Sequence, residues 1–149
     1  MRNSEIRQTI LDDHAALRGL FASLRDLLHS AGGGAERDPA VRELGAALRE
    51  RFLTHLDLED RYLVPALRKI DAWGEERAKR VSREHEEQRG RLDRLLKHLQ
   101  DPERPMADLT EELDVLLRDL LEDMTHEEAT VLHEDLLRDD PVTVDVEAG

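Results

Sequence analysis

The sequence predicts an all-α protein, an antiparallel up-down four-helix bundle, and three observations carry that prediction. Leu, Glu, Arg, Asp and Ala dominate while only 3% of residues are aromatic, a composition that suits long amphipathic helices and suits a β-sandwich poorly. Helix breakers cluster at three places and leave four long segments, about 4–30, 39–72, 75–100 and 106–138. Within each segment the apolar residues recur at alternating steps of three and four, which lays one stripe along each helix. One bundle domain over 1–138 follows, with a tail at 139–149.

The first segment carries Ile10, His14, Leu17, Phe21, Leu24 and Leu28 on its stripe. It runs into "SAGGGAERDP" (30–39), read as a flexible turn in which Asp38 is the N-cap of the next helix and Pro39 its first residue. The second stripe is Leu44, Leu48, Phe52, His55, Glu59, Leu63 and Leu67. Pro65 lies inside it and removes a backbone hydrogen bond, so a kink or an early end is expected there. "AWGEE" (72–76) supplies a glycine suited to a helix C-terminus. The third stripe is Val81, His85, Gln88, Leu92, Leu95 and Leu99, and "QDPERP" (100–105) stops that helix with two prolines. The fourth is Leu109, Leu113, Leu116, Leu120, Met124 and Val131.

Composition also excludes whole classes of function. At 149 residues the chain is long enough for one domain with a real core, and 38% charged against 39% hydrophobic residues describes a soluble globular protein. No cysteine is present, which removes disulfides, zinc ribbons, iron–sulfur clusters and thiol catalysis. The first residues lack an apolar signal region and no apolar run approaches a membrane span, so a cytoplasmic protein with no membrane partner is expected. A formal charge of −13 argues against a nucleic-acid partner, which needs a basic face. "GGG" at 32–34 lacks the neighbours of a phosphate-cradling loop, and no nucleophile–base–oxyanion arrangement is visible. No catalytic residue is assigned, and whether the protein is an enzyme stays open.

The informative residues are the polar ones that interrupt the stripes. His14, His55, Glu59 and His85 stand where the pattern asks for leucine. A buried carboxylate costs several kcal/mol unless it is paired or coordinated. In an up-down bundle, His14 and His85 lie about ten residues from the starts of their helices. Glu59 and His55 lie about thirteen and seventeen from the end of theirs, so at about 1.5 Å per residue all four reach roughly one level. Convergence of polar groups on one level of a bundle core is how metal sites in bundles are built. Imidazole with carboxylate suits iron, manganese or zinc.

With those residues in hand, "DDHAALRGL", "HLDLEDRYLVPAL" and "REHEEQRGRLDRLL" resemble the hemerythrin-like, or HHE cation-binding, family. The resemblance covers the chain to about residue 138. It implies a lone histidine on helix one, His-x-x-x-Glu on helix two, a lone histidine on helix three and His-x-x-x-Glu on helix four. It also implies a non-haem iron pair with bridging carboxylates, reactive towards dioxygen or related small molecules.

Helix four departs from that pattern, because His126 is followed four residues later by Thr130. The apolar stripe arbitrates. Pairing Leu48 with Leu116, Phe52 with Leu120 and Leu56 with Met124 sets His55 on Asp123 and Glu59 on Glu127. Pairing His55 with His126 instead buries Asp119, Asp123 and Glu134. The expected metal ligands are therefore His14, His55, Glu59, His85, Asp123 and Glu127, with His126 in place of Asp123 as the alternative. His126 and His133 fall on the outer side of the wheel.

Three imidazoles with three carboxylates make a harder, more anionic set than that of an oxygen carrier, which favours ferric iron or manganese and leaves one metal position weak or empty. The expected cofactor is iron, as a pair, with manganese or zinc as substitutes. Its expected small-molecule partner is a diatomic or a peroxide, in an oxidase-like, peroxide- or nitric-oxide-reactive or iron-handling role. A metal- or oxygen-sensing module without turnover is the alternative, and a metal-free structural bundle ranks below both. Asp13, Asp60, Glu84 and Glu86 are read as facing solvent, Tyr62 as packed, Glu128 as an interhelical ion pair with an arginine, and Gln88 as lining the pocket. The "VTVDV" tail either frays or docks on a protein partner; homo-oligomerisation is the other macromolecular option.

Overall fold

A computed structural model describes residues 1–30 and 37–140. The glycine turn and the tail valines of the sequence reading lie outside these residues. Helix α1 spans Asn3–Leu28 and α2 spans Arg37–Leu58. One π-helical turn, Glu59–Leu63, joins α2 to the short α3, Val64–Arg68, so these three pieces form one continuous rod. Helices α4 (Gly74–Gln100) and α5 (Met106–Ala129) complete a bundle of four rods, and the described residues contain no strand. None of the described helices is long and apolar enough to cross a membrane.

The effect of Pro65 is local. The Val64 N–H bonds to the carbonyl of Glu59, a wider step than the α-helical one. Proline cannot donate and its ring crowds the preceding turn. The extra residue absorbs that conflict, so the rod passes through a π turn instead of ending. Glu59 is the first residue of that turn.

Three boundaries differ from the sequence reading. Helix α2 begins at Arg37, which places Asp38 inside the first turn, where its charge suits the helix dipole, and not at the N-cap. Gly74 opens α4 and does not close the helix before it. A Cβ there would stand 2.1 Å from the Leu67 carbonyl oxygen, so close backbone approach explains the glycine. Helix α5 stops at Ala129, nine residues short of the expected 138. The Thr130 hydroxyl bonds back to the His126 carbonyl and the Leu132 N–H to the Glu127 carbonyl, closing the helix with a turn. The chain then folds under the bundle and buries both Leu132 and Leu137, which one helical stripe through Val131 could not achieve.

Side chains from neighbouring rods satisfy exposed backbone ends. Arg37 donates to the carbonyls of Leu27 and Leu28 at the end of α1, and Arg42 to those of Leu99 at the end of α4 and Asp101 just after it. Ser4 donates through its N–H (2.9 Å) and hydroxyl (2.6 Å) to the Asp139 carboxylate, which thereby caps α1 from the far end of the described chain.

The core divides into two apolar clusters. One gathers Leu17, Phe21, Phe52, Leu92, Leu116 and Leu120 with their neighbours, and Phe21 and Phe52 stack with centroids 6.2 Å apart. The other gathers Ile6, Ile10, Leu63, Val81, Leu132 and Leu137. Full burial of each such large side chain contributes about 1.5–3 kcal/mol. In sequence, His14 separates Ile10 from Leu17, Glu59 separates Phe52 from Leu63, and His85 separates Val81 from Leu92. A polar layer therefore lies between two hydrophobic ones.

Candidate metal centre

Each rod of the bundle supplies that layer. His14 of α1 is 0% exposed, His55 of α2 and Glu59 of the π turn 1%, and His85 of α4 2%. From α5 comes Glu127, whose side chain is 13% exposed. Ligand atoms of His14, His55, Glu59 and Glu127 all lie within 4.8 Å of one another. Nε2 of His14 stands 3.2 Å from Glu127 and 3.8 Å from Glu59, and Nε2 of His55 stands 3.4 Å from Glu59. His85 joins through Glu59, with its Nε2 3.0 Å from Oε1. Glu59 is thus approached by all three imidazoles.

The outward ring nitrogens follow one rule. Nδ1 of His14 donates to Glu128 at 2.7 Å, Nδ1 of His55 to Asp13 at 2.7 Å, and Nδ1 of His85 to Asp60 at 2.6 Å. Every one of these carboxylates is in turn held by an arginine, Glu128 by Arg18, Asp13 by Arg51 and Asp60 by Arg89. Such a bond fixes the tautomer that aims Nε2 inward and raises the basicity of the ring. The expectation that Asp13 and Asp60 face solvent is therefore corrected. Asp13 lies one residue before His14 yet serves His55, and Asp60 follows Glu59 yet serves His85, pairings across rods that neighbours in sequence do not disclose. Glu128 forms the expected ion pair with an arginine and also holds His14.

Electrostatics show what this arrangement lacks by itself. Burial works against charge on His14, but Glu127, Glu59 and Glu128 outweigh it and lift its pKa to about 10. Burial likewise opposes charge on His55 and His85, and Asp13 with Glu59, and Glu59 with Asp60, raise both. Burial and the charge of Glu59 push Glu127 well up. For Glu59 burial is overcome by the surrounding Glu127, His14, His55 and His85, and its carboxyl is held well below the usual range. Protons thus collect where the carboxylates meet. Even so, Nε2 of His14, Oε2 of Glu59 and Oε1 of Glu127 are buried without a hydrogen-bond partner. Buried polar atoms are rarely left so. Three facing one another, two acidic and one basic, fit a cation between them.

Residues 5–134 match the family model for the hemerythrin HHE cation binding domain. The chain belongs to that family. No curated protein and no solved structure gives a match. HHE domains bind metal cations, typically iron, and the His/Glu cluster supplies the donor types such a cation takes.

The HHE pattern is least regular on α5, and the structure separates the residues in question there. Glu127 faces the cluster. Asp123, one turn earlier, is exposed at the edge of a cleft and accepts a 2.9 Å hydrogen bond from the Gln88 amide. His126 and His133 are both exposed, and Nδ1 of His133 accepts the Asp135 N–H. The cleft between α4 and α5 is lined by His55, Glu59, Glu84, His85, Gln88, Asp123 and Glu127, with Phe52 and Met124, and its free volume is about 10 Å³. Glu84 thus borders the cleft and does not simply face solvent. Its carboxyl is raised, first by burial and then by the charge of Asp123. Tyr62 packs against the Ile6–Leu137 cluster beneath the Arg61 guanidinium.

Proposed function

We propose that the protein is a dinuclear non-haem iron protein that reacts with dioxygen, peroxide or nitric oxide. The observation that carries this reading is the trio of unpartnered buried atoms on His14, Glu59 and Glu127. In this reading His14, His55, Glu59, His85, Asp123 and Glu127 would hold the metals. Iron held there would supply redox chemistry towards a small molecule at that position. The chain's own residues prepare that position. Asp13, Asp60 and Glu128 keep the imidazoles aimed inward, and the two apolar clusters keep bulk water from the layer.

Access sets the size of the reactant. The cleft that reaches the layer has free space of only about 10 Å³, which supports a small reactant such as a diatomic or a peroxide. The carboxylate-rich donor set favours an oxidised metal, which points to oxidation, detoxification or iron handling over reversible oxygen carriage. We also read the four rods as antiparallel and up-down, in view of the five-residue links at 69–73 and 101–105, and the protein as a cytoplasmic one.

Metal analysis of the purified protein, followed by azide and peroxide titration of its near-ultraviolet absorption, tests the reading. A pair of irons per chain, an azide-responsive band and peroxide turnover support it. Loading of Glu59→Gln to the same level as wild type would overturn it. Metal uptake that changes melting without peroxide turnover would assign the sensing role.

A further inference from the structure

The chain has no cysteine and three methionines, Met1, Met106 and Met124, so all of its readily oxidised sulfur is in thioethers. Their surroundings differ. Met1 is 60% exposed, Met106 is half-buried at the start of α5, and Met124 is 3% exposed. Exposure therefore ranks Met124 last for attack by an oxidant from solvent. Its place in the fold ranks it first for attack from within. Met124 lines the cleft between α4 and α5 together with His55, Glu59, His85 and Glu127, and His55, Glu59 and Glu127 belong to the group of converging donor atoms. Glu127 follows it by three residues, so the two share a face of α5. The cleft has only about 10 Å³ of free space, so a small reactant inside it has Met124 as part of its immediate wall. Packing does not demand sulfur at that position. Leu56, the counterpart of Met124 in the pairing of helices two and four, is 1% exposed as an ordinary leucine.

Resting on the reading of the layer as a peroxide-reactive iron centre, we propose that Met124 is an oxidation site, whose thioether takes an oxygen atom from hydrogen peroxide admitted to the α4–α5 cleft and so limits the working life of the centre. The step balances without a further reductant. A bond forms between the Met124 sulfur and one peroxide oxygen, and the O–O bond breaks. Sulfur gives up two electrons and becomes a sulfoxide, and the second oxygen leaves as water with both peroxide protons. Iron held in the layer supplies activation of the peroxide, and the chain supplies the thioether beside it. The product does not suit its surroundings. A sulfoxide is polar, and Met124 packs in the apolar cluster of Leu17, Phe21, Phe52 and Leu120. The Gln88 amide, a donor in the same cleft, is already given to Asp123 at 2.9 Å. A buried acceptor without a partner destabilises the fold that holds it. Oxidation therefore loosens α5 and, with it, the grip of Glu127 on a cation. Reduction by a methionine sulfoxide reductase restores the thioether.

Peptide mass mapping of the full-length protein after a limiting dose of hydrogen peroxide, with and without bound iron, reads the three methionines side by side. In metal-free protein the sulfoxide is expected in order of exposure, at Met1 first and at Met124 last. In iron-loaded protein Met124 is expected to oxidise about tenfold faster or more than it does without metal, as the proximity of reactant and thioether requires, and to overtake Met106. The treated protein then melts several degrees lower and releases iron. Met124→Leu, a swap of similar volume, keeps its melting temperature and its iron through the same dose. The mapping is made on the wild-type chain, so it decides the matter even where the variant does not fold. Met124 that stays reduced while Met1 oxidises in the iron-loaded protein, or that oxidises as fast without metal as with it, would overturn the proposal and leave the metal centre standing. Equal damage to Met124→Leu would overturn the limit on working life. A chain that takes up no iron would remove the underlying reading instead.

Discussion

Asp13 illustrates how a single side chain works through another. Its carboxylate accepts from Nδ1 of His55 and from Arg51. Burial alone would raise its pKa, but the hydrogen bonds from His55 and Arg51 hold it down at about 2. It therefore stays charged at any ordinary pH and keeps the inner nitrogen of His55 free to coordinate. Asp13→Asn retains the shape and loses the charge. Its metal affinity is expected to fall by about 10–100-fold with helicity unchanged, as read by Mn²⁺ titration and circular dichroism. His14, His55, Glu59 and His85 were visible in the sequence because each breaks an apolar stripe. Asp13 and Asp60 were not, because they sit off-stripe among many acids and their histidine partners lie on other rods. No periodicity reports a contact between residues 13 and 55.

At the scale of the element, what the sequence shows well is the regular part of each helix and what it shows poorly is how helices end. Leu17, Phe52, Leu92 and Leu116 are buried as the spacing requires, whereas Leu44 and Val131, read on the same stripes, are only half-buried. The end of α5 is different. Residues 130–138 keep enough helical pattern to look continuous, yet the acids Glu134, Asp135, Asp139 and Asp140 crowd what would be a helix C-terminus, where negative charge is unfavourable. Turning at Thr130 avoids that and places Leu132, which a straight helix would leave off the stripe, at 0% exposure. Leu132→Ala is expected to cost about 2–5 kcal/mol in chemical denaturation. A straight α5 with Leu132 on its outer face would make the same substitution nearly neutral. The π turn was half legible. Pro65 announced an irregularity, but only the packed structure shows it resolved as one extra residue beginning at Glu59, the carboxylate on which all three histidines converge.

For the whole molecule, the polar layer sets a dependence of stability on metal. Two apolar clusters fold against a stratum of acids and imidazoles whose central atoms lack partners. A cation bound only by the native state adds stability in proportion to its concentration over its dissociation constant, about 2.7 kcal/mol at a hundredfold excess. Chelation is accordingly expected to lower the melting temperature by several degrees, and scanning calorimetry with and without EDTA measures it. A second dependence lies at the end of the bundle. Hydrogen bonds from Ser4 depress the pKa of Asp139 below its ordinary 3.8. A depressed carboxyl stabilises the fold at pH above that ordinary value and ceases to do so as pH falls through the lowered one. Amide exchange at Ser4, measured as the ratio between wild type and Asp139→Asn at each pH, is expected to differ near neutrality and to converge in strong acid.

That clasp brings residue 4 and residue 139 together. Linking the chain after residue 139 to the chain before residue 4 and reopening the backbone between Pro102 and Glu103 would redraw the order of the rods without asking any of them to move. Arg42 would still reach Asp101 on one new end and Arg104 on the other. Such a rearranged chain is expected to melt cooperatively and to take up metal as the original does, whereas a cut within the turn from Glu59 to Leu63 would leave three imidazoles with nothing to gather round.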